Sequence, residues 1–156
     1  MTKIVRAVYE DVEVLTNLAI ESESIWGYDK EYMSLFELLY SVTQQFVKNH
    51  PVYKLLNDDE SLIGFFGLEV MPSSPILEYF YIKADYVGMG FGSTMWNELI
   101  RICRSLHIQS FEFVTNPEAA GFYEHNGAKI VDWVTSVMIP NQKIPKFYFE
   151  IPKHQE

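Results

Sequence analysis

The sequence has little cysteine, no long apolar run and no clustered histidine, and each absence excludes a class of protein. Cys103 is the one cysteine, so no disulfide can form within the chain, which is typical of a reducing cytoplasm. No apolar run approaches the ~20 residues of a membrane-spanning helix, and residues 1–6 lack the apolar core of a signal peptide. The four histidines are scattered without metal-ligand spacing. We therefore expect a cytoplasmic protein without a membrane segment or a metal site, in which Cys103 is a buried, inert thiol on a helix.

Positive charge is also scarce. The chain has 12 Lys and Arg against 21 Asp and Glu, which gives a formal net charge of −9. Because no basic cluster is present to displace counterions from a phosphate backbone, we expect no nucleic-acid partner. The acidic balance favours cationic partners such as amines, although the same charge also serves solubility.

Apolar and aromatic residues are plentiful, and their pattern predicts one α/β domain over residues 1–156. The predicted order is one strand, two helices, three strands, a helix, a strand, a helix and two strands. This order is typical of an α/β sandwich with a mixed sheet. The second helix is predicted to run from Lys30 to Asn49 in one piece. The last strand is predicted to begin at Phe147, after a loop bracketed by Pro140 and Pro145.

The segment after the middle of the chain contains a glycine-rich turn between a strand and a helix. The apolar strand Ile76–Ile82 leads to Gly88-Met89-Gly90-Phe91-Gly92-Ser93, where an amphipathic helix begins. A helix start offers free backbone N–H groups and a positive dipole end, which together suit a phosphate or pyrophosphate. We expect the three glycines to adopt positive φ and to let the backbone approach a phosphate. Ser93 is either a phosphate donor or a simple helix-start residue.

A second motif follows about twenty-five residues later. Asn116-Pro117-Glu118-Ala119-Ala120-Gly121-Phe122-Tyr123 turns from the end of a strand into a helix that carries a phenol. An anion site followed by a phenolic donor suggests group transfer from a phosphate-bearing carrier.

Together these motifs resemble the GNAT superfamily of N-acetyltransferases. Leu77–Gly92 looks like the fourth strand of that family and its acetyl-CoA pyrophosphate loop. Asn116–Ala128 resembles the family motif Asn-x-x-Ala-x-x-Phe-Tyr-x-x-x-Gly. Ser24–Tyr28 and Ile139–Pro145 look like features of one bacterial subgroup. The resemblance covers nearly the whole chain.

The resemblance implies both a fold and a reaction. The fold is a three-layer α/β/α sandwich whose central mixed, mostly antiparallel sheet is splayed at its fourth and fifth strands. The reaction is acetyl-CoA-dependent transfer of an acetyl group to a primary amine, by direct attack on the thioester and without a metal. The acceptor is a small-molecule or peptide amine of open identity, and a homodimer is the assembly common in such folds.

The resemblance also implies how acetyl-CoA would bind. The strand backbone would pair with the pantetheine amides like an added strand. The implied cofactor-binding residues are Phe80, Tyr81, Ile82, Val87, Gly88, Met89, Gly90, Phe91, Gly92, Ser93, Asn116 and Tyr123. The family often has Arg or Gln where Val87 stands, so here only backbone N–H groups and the helix dipole remain for the pyrophosphate, which predicts weaker CoA binding. Asn116 is alternatively a helix cap followed by proline.

Two residues are candidates for the chemistry. Tyr123 would act as a general acid toward the departing thiolate, or would only anchor its helix. Glu78 is the first candidate for the base that takes a proton from the amine, with Glu69 or a water relay as alternatives. Glu78 is expected to share one strand face with Phe80 and Ile82, where apolar neighbours would raise the pKa of the carboxyl.

An aromatic stripe on the first helices has two interpretations. In the family these helices roof the acceptor pocket, where aromatic rings can hold a cation, but such a stripe more often belongs to the core. The residues concerned are Trp26, Tyr28, Tyr32 and Phe36.

Three other functions remain open. A GNAT-fold protein could bind acyl-CoA without efficient catalysis. A dinucleotide-binding oxidoreductase could use Gly88, Gly90 and Ser93 with Glu112, but its third small residue would be Ser, Glu112 lies within a strand, and the turn falls past mid-chain. A purely structural module would leave both motifs unexplained.

Overall fold

The computed structural model describes residues 1–70 and 74–153, in which one sheet is central. Within these residues seven strands lie in the order β1-β2-β3-β4-β5-β7-β6. The strands are β1 (Lys3–Arg6), β2 (Val52–Leu56), β3 (Leu62–Glu69), β4 (Ile76–Ile82), β5 (Ser110–Val114), β6 (Lys129–Thr135) and β7 (Lys143–Glu150). The helices are α1 (Val12–Ser24), α2 (Lys30–Tyr40), α3 (Gln44–Asn49), α4 (Phe91–Ser105) and α5 (Ala120–His125), with 3₁₀ turns at Tyr9–Asp11, Ala84–Tyr86 and Pro117–Ala119.

Helices cover both faces of the sheet, each above its own apolar core. On one face α4 and α5 pack over a core that contains Trp96, Phe111 and Phe147. On the other face α1, α2 and α3 pack over a core that contains Leu15 and Phe65. Side chains of a strand alternate between the two faces, so one sheet supplies both cores. The predicted three-layer α/β/α sandwich is confirmed.

The two central strands β4 and β5 are parallel, and they separate after one residue pair. Ile76 lies opposite Glu112, and no other pair of these two strands is in register. From Leu77 onward, the N–H and C=O groups that β4 turns toward β5 therefore have no strand partner. The predicted splay is confirmed, and it leaves main-chain groups that must find other partners.

Two predicted elements are wrong in their extent. The helix predicted over residues 30–49 is broken, because Ser41 is extended and the Thr43 side chain accepts a hydrogen bond from the Phe46 N–H, which caps a new helix. The buried Val42 between the helices exchanges hydrogen bonds with Thr16 of α1. Tertiary contact with α1 thus overrides the continuous helical pattern.

The last strand begins at Lys143, so it contains a proline that was predicted to lie in a loop. The Pro145 carbonyl accepts a hydrogen bond from Thr115, so its nitrogen also faces the β5 side, just beyond the end of β5 at Val114. The proline nitrogen, which cannot donate, therefore lies just beyond the last paired residues of β5 and β7, where the strand tolerates it.

The single cysteine lies in the core beneath α4. Cys103 is fully buried, and burial raises the pKa of its thiol to about 12. The predicted burial of the thiol is confirmed, and a thiol with that pKa stays protonated at neutral pH. In the part of the chain that the structure describes, no helix has the length and apolar character needed to cross a membrane.

Candidate active site

A cavity of about 750 Å³ opens where β4 and β5 separate. Its walls come from the end of α1, from α2, from β4 and the turn after it, from the start of α4, and from residues 113–123 and 134–138. Most of the predicted site residues line it: Glu78, Phe80, Tyr81, Ile82, Val87, Gly88, Gly90, Gly92, Ser93, Asn116 and Tyr123. Met89, Phe91 and Glu69 do not.

The turn between β4 and α4 leaves main-chain N–H groups without partners. Gly88 and Gly90 adopt φ of 83° and 86°, which side chains rarely allow, and Gly90 precedes α4 with no side-chain cap. The Phe91, Gly92 and Ser93 amides lie in the first helical turn, where no intrahelical acceptor exists. No described residue accepts a hydrogen bond from them. These amides and the positive end of a 15-residue helix suit an anion.

Gly92 has a different role from its two neighbours, and the positive φ expected for it is wrong. It lies inside α4, and a Cβ atom there would come 2.8 Å from Cε1 of Phe122. Glycine at this position therefore allows α5 to pack closely against the start of α4.

A β-bulge interrupts β4 at the mouth of the gap. Gly67 pairs with Tyr79 and Leu68 pairs with Leu77, so Glu78 has no opposite residue on β3. A bulge of this kind redirects side chains and leaves main-chain groups unpaired. Because of this extra residue, two β4 side chains that lie two positions apart, one on each side of Glu78, face opposite sides of the sheet.

The face predicted for Glu78 is wrong because of that bulge. Leu77 packs in the same core as Phe80 and Ile82, whereas the charge of Glu78 raises the pKa of Tyr40 and Tyr79, which belong to the opposite face. The predicted direction of its pKa shift is nevertheless correct. Burial, and then the charge of Glu69, raise the pKa of the Glu78 carboxyl.

Tyr123 lies at the base of the gap with a free hydroxyl. The residue is 8% exposed, and its ring packs against Phe113 and Phe80. Its side chain lines the cavity, and among the described residues nothing hydrogen-bonds to its hydroxyl. Burial, and then the charge of Glu23, raise the pKa of the phenol. The phenol therefore stays protonated and can donate a hydrogen bond to a ligand. Packing of the ring also anchors α5, as the alternative interpretation states, and this packing does not involve the hydroxyl.

Asn116 does not form the helix cap that its sequence suggested. Its side chain makes no cap hydrogen bond to the turn that follows. Instead its Nδ2 donates to Oε2 of Glu23 at 3.1 Å and to the Tyr32 hydroxyl at 2.6 Å. An amide near the end of β5 thus fixes a carboxylate of α1 across the cavity. Its binding to a carrier remains a prediction.

Glu23 is a residue of this cavity that sequence reasoning missed. The half-buried carboxylate also accepts a hydrogen bond from the Tyr32 hydroxyl at 2.5 Å. Burial raises the pKa of Glu23, and the nearby charge of Glu118 acts in the same direction, against the hydrogen bonds from Tyr32 and Asn116. The partners lie 9 and 93 residues away in sequence, and no local motif joins them.

The aromatic stripe lies partly in the core and partly at the cavity. Tyr32 and Phe36 are buried in the core beneath α2 and also line the cavity, as does the exposed Trp26. Tyr28 stacks on Tyr32 with ring centroids 3.9 Å apart and donates a hydrogen bond to Glu118 at 2.8 Å. The helices therefore supply an aromatic and acidic wall opposite the glycine-rich turn.

Comparison with known proteins identifies the class of this protein. The family model of the GNAT acetyltransferases matches residues 13–128. The chain belongs to that family and is an acetyltransferase. No curated protein matches the sequence significantly.

Solved structures show the same fold at low sequence identity. The PaiA N-acetyltransferase from Thermoplasma acidophilum, solved in complex with coenzyme A, is 20% identical, with a TM-score of 0.79 over 96% of this chain and 99% of that chain. A chimera of a Vibrio cholerae spermidine N-acetyltransferase is 17% identical, with a TM-score of 0.73 over 96% and 95%. A ribosomal-protein alanine N-acetyltransferase from Escherichia coli is 13% identical, with a TM-score of 0.72 over 100% and 97%.

Proposed function

We propose that this protein is an acetyl-CoA-dependent N-acetyltransferase that moves an acetyl group to a primary amine by direct attack of the amine on the thioester. The observation that carries the proposal is the convergence of three features on one cavity. Unpaired main-chain groups of β4, partnerless amides at the start of α4 and the free hydroxyl of Tyr123 all border it. This cavity suits an elongated ligand with an anionic group at one end and a reacting group at the other.

The residues present fit coenzyme A. Amides between Val87 and Ser93 would hold the pyrophosphate, since Gly88 and Gly90 allow close approach of the backbone. The open edge of β4 at Phe80–Ile82 would pair with the pantetheine amides. A PaiA N-acetyltransferase of the same fold binds coenzyme A, which supports this assignment. The acetyl thioester would then lie near the bulge.

The chemistry requires one proton acceptor and one proton donor. The amine nitrogen forms a bond to the carbonyl carbon as the carbon–sulfur bond breaks. Glu78 accepts a proton from the amine, directly or through water, because a carboxyl of raised pKa is a stronger base than an ordinary one. Tyr123 donates a hydrogen bond and shares its proton with the departing sulfur. An N–H group of β4 at the bulge would stabilise charge on the carbonyl oxygen.

The remaining features of the proposal concern partners and setting. Proteins of this fold named for spermidine and for a ribosomal-protein alanine support an amine acceptor, either a small molecule or a peptide. We propose no nucleic-acid partner, one acetyltransferase domain over residues 1–156, a cytoplasmic location in keeping with the free Cys103, and a homodimer as the assembly to test.

A binding measurement tests the first part of the proposal. Acetyl-CoA at a hundred times its Kd should stabilise the protein by about 2.7 kcal/mol, which raises the melting temperature by several degrees. NAD at the same concentration should have no effect. A rise with NAD alone would instead favour an oxidoreductase, and no rise with either carrier would reject the proposed carrier site.

A rate measurement tests the second part. Release of free CoA thiol in the presence of a panel of amines should depend on the acceptor. Tyr123→Phe should lower kcat about 100-fold while the Kd of acetyl-CoA changes less than about twofold. Tyr148→Phe, an exposed tyrosine on β7 outside the cavity, is the matched control. Binding of acetyl-CoA without turnover over the whole panel would support an acyl-CoA-binding protein.

A further inference from the structure

The cavity lining is acidic and has no basic side chain to balance it. Its carboxylates are Glu23, Glu78 and Glu118, and no Lys, Arg or His of the described residues lines it. None of the three takes part in an ion pair among the described residues. Glu23 and Glu78 are partly buried and Glu118 is exposed. Because a partly buried carboxylate without a cation is unfavourable, the end of the cavity at Glu23 favours a positively charged group.

Glu23 is held so that one of its two oxygens remains available. Oε2 accepts both hydrogen bonds, one from Tyr32 and one from Asn116. Among the described residues, Oε1 receives none. The two donors fix the carboxylate in one orientation, and both of them are uncharged, so its negative charge remains uncompensated.

Glu118 belongs to the same network through an aromatic pair. It accepts a hydrogen bond from Tyr28, whose ring stacks on Tyr32, the donor to Glu23. The pKa of Glu23 is raised in part by the charge of Glu118, so the two carboxylates are close enough to repel each other. Trp26 lines the same end of the cavity and is 43% exposed.

An independent observation indicates that a ligand reaches this part of the cavity. Tyr123 is 8% exposed and lines the cavity, yet its hydroxyl has no hydrogen-bond partner among the described residues. The hydroxyl oxygen is not among the fully buried polar atoms that lack a partner, so it opens into the cavity, where a ligand can reach it. The charge of Glu23 also acts on this phenol, so the unpartnered donor and the unpaired carboxylate border the same space.

We infer that Glu23 and Glu118 form a second cation site, so the acceptor carries a positively charged group besides the amine that is acetylated. This inference rests on the proposed function and names its substrate class, a diamine or polyamine without a free carboxylate. Glu78, at the bulge, serves the reacting amine, which leaves Glu23 and Glu118 for the distal ammonium. Trp26 adds a ring face against which an alkylammonium group can pack. An acceptor with a carboxylate would meet two negative charges and no cation.

Acceptors of matched length test the inference. For alkyl chains of three to eight carbons, kcat/KM is measured for the α,ω-diamine, the monoamine and the ω-amino acid. At the best length, the diamine should exceed the monoamine by about tenfold, the amount that one partly buried charge pair of about 1.4 kcal/mol supplies. The amino acid should be the poorest of the three.

Two variants and a control locate the effect. Glu118→Gln and Glu23→Gln should raise KM for the diamine and remove most of its advantage, with a smaller change for the monoamine. Glu21→Gln removes an exposed carboxylate of the same helix that does not line the cavity, and it should keep the full advantage. A purely structural role for Glu23 would instead lower the rates of all three acceptors equally.

Equilibrium binding separates this inference from the proposed function. The same three acceptors are titrated into the protein saturated with CoA, where no transfer occurs. Tighter binding of the diamine that is lost in Glu118→Gln supports the second cation site even if no acceptor is acetylated. Equal affinities, or equal kcat/KM for all three acceptors, overturn it while the transferase activity stands.

Discussion

The two sides of the cavity offer different kinds of chemical group to a ligand. The carrier side, formed by β4, the glycine-rich turn and the start of α4, offers main-chain groups that a strand and a helix leave unpaired. The acceptor side, formed by α1, α2 and the turn at Pro117–Ala119, offers carboxylates and aromatic rings fixed by side-chain hydrogen bonds. Main-chain groups bind what all carriers of one class share, whereas side chains can be exchanged without changing the fold. We expect the first side to define the reaction class and the second side the acceptor.

Glu78 stands between the two sides, and its removal should have the largest effect. Glu78→Gln should lower kcat/KM for the amine about 100-fold at neutral pH, because the variant has no base at the bulge. As the proposed base, Glu78 is active only when ionised, and its pKa is raised above the usual 4.5 by burial and by Glu69. Activity should therefore fall as the pH drops through that raised pKa, at a higher pH than an ordinary carboxyl would give.

A pH profile distinguishes this role from a structural one. In Glu78→Gln the acidic limb set by that carboxyl should be absent, and the residual rate should rise with pH toward the pKa of the amine, because only amine that is already neutral can then attack. Glu69→Gln should shift the acidic limb to lower pH with little loss of maximal rate, because it removes the repelling charge. An unchanged acidic limb in Glu78→Gln would assign the base elsewhere.

On the carrier side, Gly90→Val should weaken acetyl-CoA binding without affecting the amine. A β-branched residue at φ 86° costs about 2 kcal/mol, and if the turn relaxes to avoid that cost its amides leave their positions, so the Kd should rise about 30-fold. KM for the amine at saturating acetyl-CoA should stay within about twofold.

Gly121→Ala is the control for that glycine substitution. Gly121 lies in α5, and a Cβ atom added to it would have no neighbour within 4 Å, so alanine fits there and favours the helix. Its acetyl-CoA affinity should match that of the unsubstituted protein. Equal losses in both variants would show that the affinity depends on general stability and not on the turn.

On the acceptor side, Tyr32→Phe should weaken binding of the amine and leave binding of acetyl-CoA unchanged, which is the reverse of the effect expected for Gly90→Val. It removes the hydroxyl that holds Glu23 and receives a hydrogen bond from Asn116. Loss of a hydrogen bond to a charged group costs about 1.5 kcal/mol, so KM for the amine should rise about tenfold while the Kd of acetyl-CoA stays the same. A rise in the Kd of acetyl-CoA of similar size would show that the two sides are not independent.

The carrier side was largely predictable from the sequence because its parts are contiguous. A strand, a glycine turn and a helix start within eighteen residues specify free amides by local rules alone. Within the turn and the helix start, the positive φ expected for Gly92 is wrong, because tertiary packing decides at that position. Gly92 is required by the approach of Phe122 from α5, which no pattern around Gly92 records.

The acceptor side was not predictable, because its hydrogen bonds join distant segments. Asn116 and Glu23 are 93 residues apart, and each is an ordinary surface residue type in its own segment. The bulge at Glu78 depends on how β3 pairs with β4, so strand alternation assigned that carboxylate to the wrong face. The break between α2 and α3 likewise depends on Thr16 of α1.

The smallest effect is expected from a substitution on the carrier side, which now offers only main-chain groups to the pyrophosphate. Val87 is 49% exposed and lines the cavity beside the glycine turn. Val87→Arg places a cation near the pyrophosphate, and an exposed pair is worth about 0.2–1 kcal/mol, so acetyl-CoA should bind about threefold more tightly at low salt. The gain should vanish near 1 M salt, since screening weakens exposed pairs first. Val87→Gln, which adds hydrogen bonds without charge, should show no such salt dependence. If Val87→Arg gave no gain even at low salt, the main-chain amides and the helix dipole would already satisfy the anion, and the two sides of the cavity would differ even more sharply than we propose.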